Sequence, residues 1–120
     1  MAGTVTTTEV TYTSPKKITF DWLSDGAGAA DATTTAKFDG VLLLIATVPD
    51  GGATAPDVDY DLVLKNADGI DILAAQGLNR SQTLTQFINS GMGALAGETL
   101  TLGITNAGAA NGGLVYVYLR

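Results

Sequence analysis

Three alternating aspartates, Asp57, Asp59 and Asp61, with Asp68 seven residues on, form the cluster in this 120-residue sequence whose spacing comes nearest to chemistry. Oxygen ligands at alternate positions are what a calcium loop needs, and Asp68 falls where its twelfth-position ligand would sit. The glycine of such a loop is replaced by Leu62, however, and Val58, Tyr60 and Leu62 alternate with the acids in strand fashion. In a strand the three carboxylates share one face about 7 Å apart, too far for neighbours to hold one hard cation. We read the ladder as a solvated strand face and expect no metal and no cofactor.

Catalysis finds few other residues to stand on. A carboxylate pair could serve a glycosidase at about 5 to 10 Å across a cleft, but twelve acids in a small protein give such pairs by chance, and no aromatic sugar platform accompanies them. The sequence has no histidine and no cysteine, which removes Ser-His-Asp and Cys-His nucleophiles and the usual zinc sites. Gly91-Met-Gly-Ala-Leu-Ala-Gly97 looks superficially like a dinucleotide fingerprint, but its third spacing is wrong and its surroundings read as strands; we take it as a flexible loop. Asn79-Arg80-Ser81 matches a glycosylation acceptor that is idle without a secretory route. We expect no enzyme.

Composition narrows the partners. Twelve acids against six bases give a net charge of −6, and Lys16, Lys17, Lys37, Lys65, Arg80 and Arg120 are scattered, so no cationic footprint for nucleic acid exists and an anionic membrane would repel the chain. Hydrophobic residues make up 46 %, which suits a packed globule, while only 15 % are charged, well below the usual quarter. Threonine, alanine and glycine fill the exterior instead, a surface suited to life against other proteins. Absence of cysteine is compatible with a reducing cytoplasm. The opening Met1-Ala-Gly-Thr-Val-Thr has neither the basic nor the apolar region of a cleaved signal, so we expect a protein made in the cytoplasm.

The elements that would position any site read as strands. Val5 to Thr13 is β-branched and ends at Ser14-Pro15; Lys17 to Leu23 puts Ile18, Phe20 and Trp22 on one face. Asp25 to Asp31 is a loop. Thr33 to Phe38 reads as a short strand, and Asp39-Gly40 as a tight turn into Val41 to Val48, which is apolar on both faces and central. Pro49 to Pro56 is a loop, Val58 to Leu73 a hairpin, and Thr83 to Ile88 ambiguous between strand and helical turn. Glu98 to Asn106 and Leu114 to Arg120 read as a terminal hairpin, with Leu100, Leu102 and Ile104 on one face of its first strand and something packed on each side of its second. About eight strands and no helical stripe predict an all-β chain: a single antiparallel β-sandwich over residues 1–120, with a jelly-roll or Ig-like strand order.

Several segments together resemble small virion proteins of tailed bacteriophages: the Met1-Ala-Gly-Thr-Val-Thr start, Lys17-Ile-Thr-Phe-Asp-Trp22, Tyr60 to Leu73, Gly77-Leu-Asn-Arg-Ser81, Leu100 to Gly108 and Gly113 to Leu119. The resemblance covers nearly the whole length, and proteins of this type resemble head decoration, or cement, proteins and other virion accessories with compact β-folds. It implies a structural role. Small size, low surface charge and a threonine-rich N-terminal segment add the expectation of a capsid decoration protein that binds the major capsid protein from outside, as a trimer at local three-fold positions, and reinforces the head. Residues 1–13 would form a partner-contacting arm that adds a strand to a neighbour. Val5, Thr7, Val10 and Tyr12 in that arm, Pro49 and Pro56 flanking the loop, and Tyr116 and Tyr118, whose hydroxyls suit an interface, are the expected contact residues. The alternative is an Ig-like recognition module on a tail, fibre or collar, binding a host receptor or glycan through the Asp25 to Asp31 and Pro49 to Pro56 loops.

Overall fold

The computed structural model describes residues 3–10 and 15–120. Among these residues nine strands follow in order: β1 (Thr4–Val10), β2 (Lys16–Leu23), β3 (Ala30–Thr33), β4 (Phe38–Pro49), β5 (Asp61–Lys65), β6 (Gln86–Ile88), β7 (Ala94–Glu98), β8 (Thr101–Thr105) and β9 (Gly112–Leu119). They form an antiparallel β-sandwich. One sheet has six strands in the order β1-β2-β9-β4-β6, with β7 also paired to β4; the other has three, in the order β3-β8-β5. One short 3-10 turn, Gly52–Thr54, interrupts the β4–β5 connection. Among the described residues no helix is long and apolar enough to cross a membrane.

Alternation decides which face each strand buries. Ile18, Phe20 and Trp22 of β2 point inward with Val115, Val117 and Leu119 of β9 and Ile45 of β4; Leu62, Leu64, Leu102 and Ile104 of the smaller sheet meet them. Burying each such side chain contributes about 1.5 to 3 kcal/mol, so the inner faces of β2, β9, β5 and β8 carry most of the cohesion. As expected, β4 is central, lying between β9 and β6, and Leu100, Leu102 and Ile104 share the buried side.

Several local expectations are corrected. The last two strands are not a hairpin: β8 lies in the three-stranded sheet between β3 and β5, β9 in the six-stranded one between β2 and β4. The 106–111 connection therefore crosses from one layer to the other. It is pinned there by Ala107 N–H on Gly28 O, Asp57 N–H on Ala107 O and Ser24 N–H on Asn111 O, at 3.1, 2.9 and 2.8 Å. Asp39-Gly40 is no turn either, because β4 runs straight through it with a bulge between Phe38 and Asp39. Gly40 sits at φ 128°, where a Cβ would lie 2.2 Å from Arg120 O, so the backbone crossing there requires glycine. The short third strand is Ala30–Thr33, earlier than expected, and Pro49 closes β4 instead of opening the loop. The Gly91–Gly97 segment, read as a flexible loop, carries β7, paired to β4 from Val41 to Phe38.

Candidate interaction surface

The two outer faces of the sandwich differ in chemistry. On the smaller sheet, Asp31 and Thr33, Thr101, Gly103 and Thr105, and Asp61, Val63 and Lys65 are the outward set, joined by a Thr33–Thr101 hydroxyl contact of 2.9 Å. That face is mostly polar, with Val63 its one large apolar side chain. The larger sheet has the opposite character. Cross-strand partners share a face, so the register places Thr8, Thr19, Tyr116, Ala46 and Phe87 in one outward row across five strands. Val10, Lys17, Tyr118 and Leu44 form a second row, and Thr6, Asp21, Leu114 and Val48 a third.

Leu114, Tyr116, Tyr118, Leu44 and Val48 are half-buried by their neighbours in the sheet, and Phe87 is 62 % exposed. Among the described residues no second layer of strands covers this side. Lys17 partly shields it, its ammonium 4.7 Å from the Tyr116 ring centroid and 5.5 Å from that of Tyr118, within range for cation–π attraction. The expectation that β9 has something packed on each side is thus met by this chain on the inner side only.

The expected contact residues divide between two ends and two faces. Tyr116, Tyr118 and Val10 lie together on the outer face, Val10 opposite Lys17 and Lys17 opposite Tyr118. Val5 and Thr7 point the other way, opposite the buried Trp22 and Phe20, and Val5 packs against the core. Pro49, opposite Gly113, is half-buried at the far end of the sheet, and Pro56 is buried. Tyr12 lies outside the described residues. Residues 4–10 are an edge strand of the chain's own sheet, fully registered against β2. Glu9 ties that edge to the β3–β4 connection by accepting from Ala36 N–H at 2.9 Å and Thr35 N–H at 3.2 Å. Leu44, Val48 and Phe87 were not singled out from sequence; the two-sided apolarity of Val41 to Val48 was the signal that could have found the first two.

The acidic ladder is not one strand face. Asp57 and Asp59 precede β5, Asp59 has φ 60°, and regular alternation starts only at Asp61. Asp61 staples neighbouring turns, accepting from Asn79 N–H at 3.0 Å and Asn106 Nδ2 at 2.6 Å. Asp71 does the same for the segment after β5, taking Leu73, Ala75 and Leu64 N–H groups at 3.1, 3.0 and 3.3 Å. Asp25 folds the β2–β3 loop around its Oδ1, which accepts from Ala27 and Ala29 N–H at 2.8 and 3.0 Å; these bonds, that from Ala29 foremost, hold its carboxyl below the usual carboxylate range. Among the described residues no three acidic side chains gather as metal ligands would. No protein-family model, no curated protein and no solved structure matches this chain.

Proposed function

We propose that the chain is a structural protein of a tailed-phage virion, a decoration protein that binds the outside of the head and reinforces it without covalent chemistry. The observation that carries the reading is the outer face of the six-stranded sheet, where Phe87, Tyr116, Tyr118, Leu44, Val48 and Leu114 lie side by side with few charges. A contiguous exposed apolar face rimmed by polar residues marks an interaction site. The resemblance of the sequence to small virion proteins supplies the partner, the major capsid protein.

Size bears on mechanism. Five strands about 4.8 Å apart, from three residues in β6 to twelve in β4 and averaging about 26 Å, give a face of roughly 600 Å², somewhat under the ~800 Å² per partner of a standard interface. A single copy would bind modestly, so a trimer engaging adjacent capsomers gains hold through avidity. The β1 edge, with Thr4, Thr6 and Thr8 exposed, extends the contact. A receptor-binding module on a tail is the weaker reading, since the Asp25 to Asp31 and Pro49 to Pro56 loops offer no aromatic residue to a glycan. Antibody labelling of purified particles tests the proposal: label on heads is the expected result, and label on tails, or particles lacking the protein, overturns it.

A further inference from the structure

At the Pro49 end of the sandwich, four side chains bury polar atoms that meet no partner in full hydrogen-bond geometry among the described residues: Trp22 Nε1, Thr47 Oγ1, Tyr60 Oη, and Nε and Nη1 of Arg80. Trp22, Thr47 and Tyr60 are each no more than 1 % exposed. The four come from separate elements. Trp22 lies on β2 opposite Gly113, and Thr47 on β4 opposite Gln86 of β6. Tyr60 directly precedes β5 and bridges to Arg80, whose backbone N–H donates to Tyr60 O at 2.7 Å. Gln86 holds the same segment by accepting from Ser81 N–H at 2.8 Å.

Tyr60 is the hub. Its ring centroid is 5.5 Å from that of Trp22. Burial pushes its phenol up; the Thr47 hydroxyl, which faces the phenol as a hydrogen-bonding group without meeting full hydrogen-bond geometry, and then the Arg80 guanidinium pull against that rise. The indole lies over β9 at Gly113, where there is no side chain: a Cβ there would stand 3.2 Å from Trp22 Cζ2, on the ring edge that carries Nε1. Indole and guanidinium N–H groups donate and cannot accept. The titratable group facing Arg80 is the Tyr60 phenol, not a carboxylate. The two hydroxyls can accept as well as donate, but they face three nitrogen atoms that only donate, and among the described residues the half-buried positive charge has no counter-charge, an arrangement that is costly unless something supplies further lone pairs and a negative charge. Water offers lone pairs but no charge; an anion offers both.

We infer that Arg80, Tyr60, Thr47 and Trp22 form a binding site for a small monovalent anion of halide size, which joins the two sheets at this end of the sandwich. Chloride is the probe, compared with the bulky anion gluconate at equal ionic strength. Above the dissociation constant, each tenfold rise in chloride raises the melting temperature of the wild type by about 5 °C. Arg80→Gln abolishes that dependence, and the near-isosteric Thr47→Val weakens it, which keeps the test decisive if the arginine variant does not fold. Trp22 is the sole tryptophan, so iodide gives a second readout: saturable quenching that chloride competes away. A melting temperature indifferent to chloride, an equal response in wild type and variants, or weak linear quenching overturns the site and leaves water as the partner of these donors.

Discussion

Lys17 holds its ammonium 4.7 Å from the centre of the Tyr116 ring, across the boundary between β2 and β9. The pairing places a cation on the most aromatic part of a face whose three rows otherwise carry only the Asp21 carboxylate, and it lies on the surface proposed to meet the capsid. An exposed cation–π contact contributes about 0.5 to 1 kcal/mol, too little to explain the fold. Its weight falls on what that face can bind.

Tyr116→Thr combined with Tyr118→Thr replaces two aromatic residues with β-branched ones that also favour strands and costs about 1 kcal/mol of stability, while particle binding falls at least tenfold in a co-sedimentation assay. Binding unchanged in this double variant would remove the outer face from the proposal. Deleting residues 2–13 is a blunter test, because it also removes an edge strand of the sheet.

Phe87 and Leu102 provide the internal contrast. Leu102→Ala opens a cavity between the sheets and destabilises by about 2 to 5 kcal/mol, since Leu102 is fully buried. Phe87→Ala, at 62 % exposure, changes urea stability by no more than about 0.5 kcal/mol yet weakens particle binding.

Gly40→Ala places a methyl against the Arg120 carbonyl at a backbone angle that alanine disfavours. We expect a loss of about 3 kcal/mol or more, read as a lower urea midpoint. Gly26→Ala, where a Cβ meets nothing within 4 Å, serves as the tolerated control.

Acid should reveal Asp25. Its carboxyl titrates below the ordinary value of 3.8 because backbone N–H groups bind the ionised form, so its contribution is present above that pH and fades as the pH falls through the folded value. Asp25→Asn keeps both acceptor bonds but loses the charge. The stability gap between wild type and this variant should stand at pH 6 and shrink below pH 4; a gap indifferent to pH would contradict the assignment.

Tyr60 gives the opposite sign at the alkaline end. Its phenol is raised above 10.0 by burial, so the neutral form stabilises the fold below that pH and the contribution is lost as the pH climbs through the folded value. Tyr60→Phe should therefore flatten the alkaline loss of stability between pH 9 and 11.5, followed by circular dichroism.

The inner faces of β2 and β8 were legible because each alternates a large apolar residue with a polar one, and period alone assigns the side. The separation of β8 from β9 was not. Both strands have a hairpin-like local pattern, and only the long-range bonds of the 106–111 loop, from Gly28, Asp57 and Ser24, show that the chain changes layers. β7 was hidden because Ala94, Ala96 and Gly97 give no alternation, and Leu95 alone is buried. Tyr60 and Arg80, twenty positions apart, meet through one backbone bridge that no local pattern announces.

Because β9 stands between β2 and β4, the larger sheet is held together by the last of the nine strands to leave the ribosome. Until it emerges, β1 and β2 have no path to β4, and nascent chains would carry their apolar edges unpaired. Closure of this sheet should wait for β9 and come all at once, which favours assembly of finished subunits over docking of half-made ones.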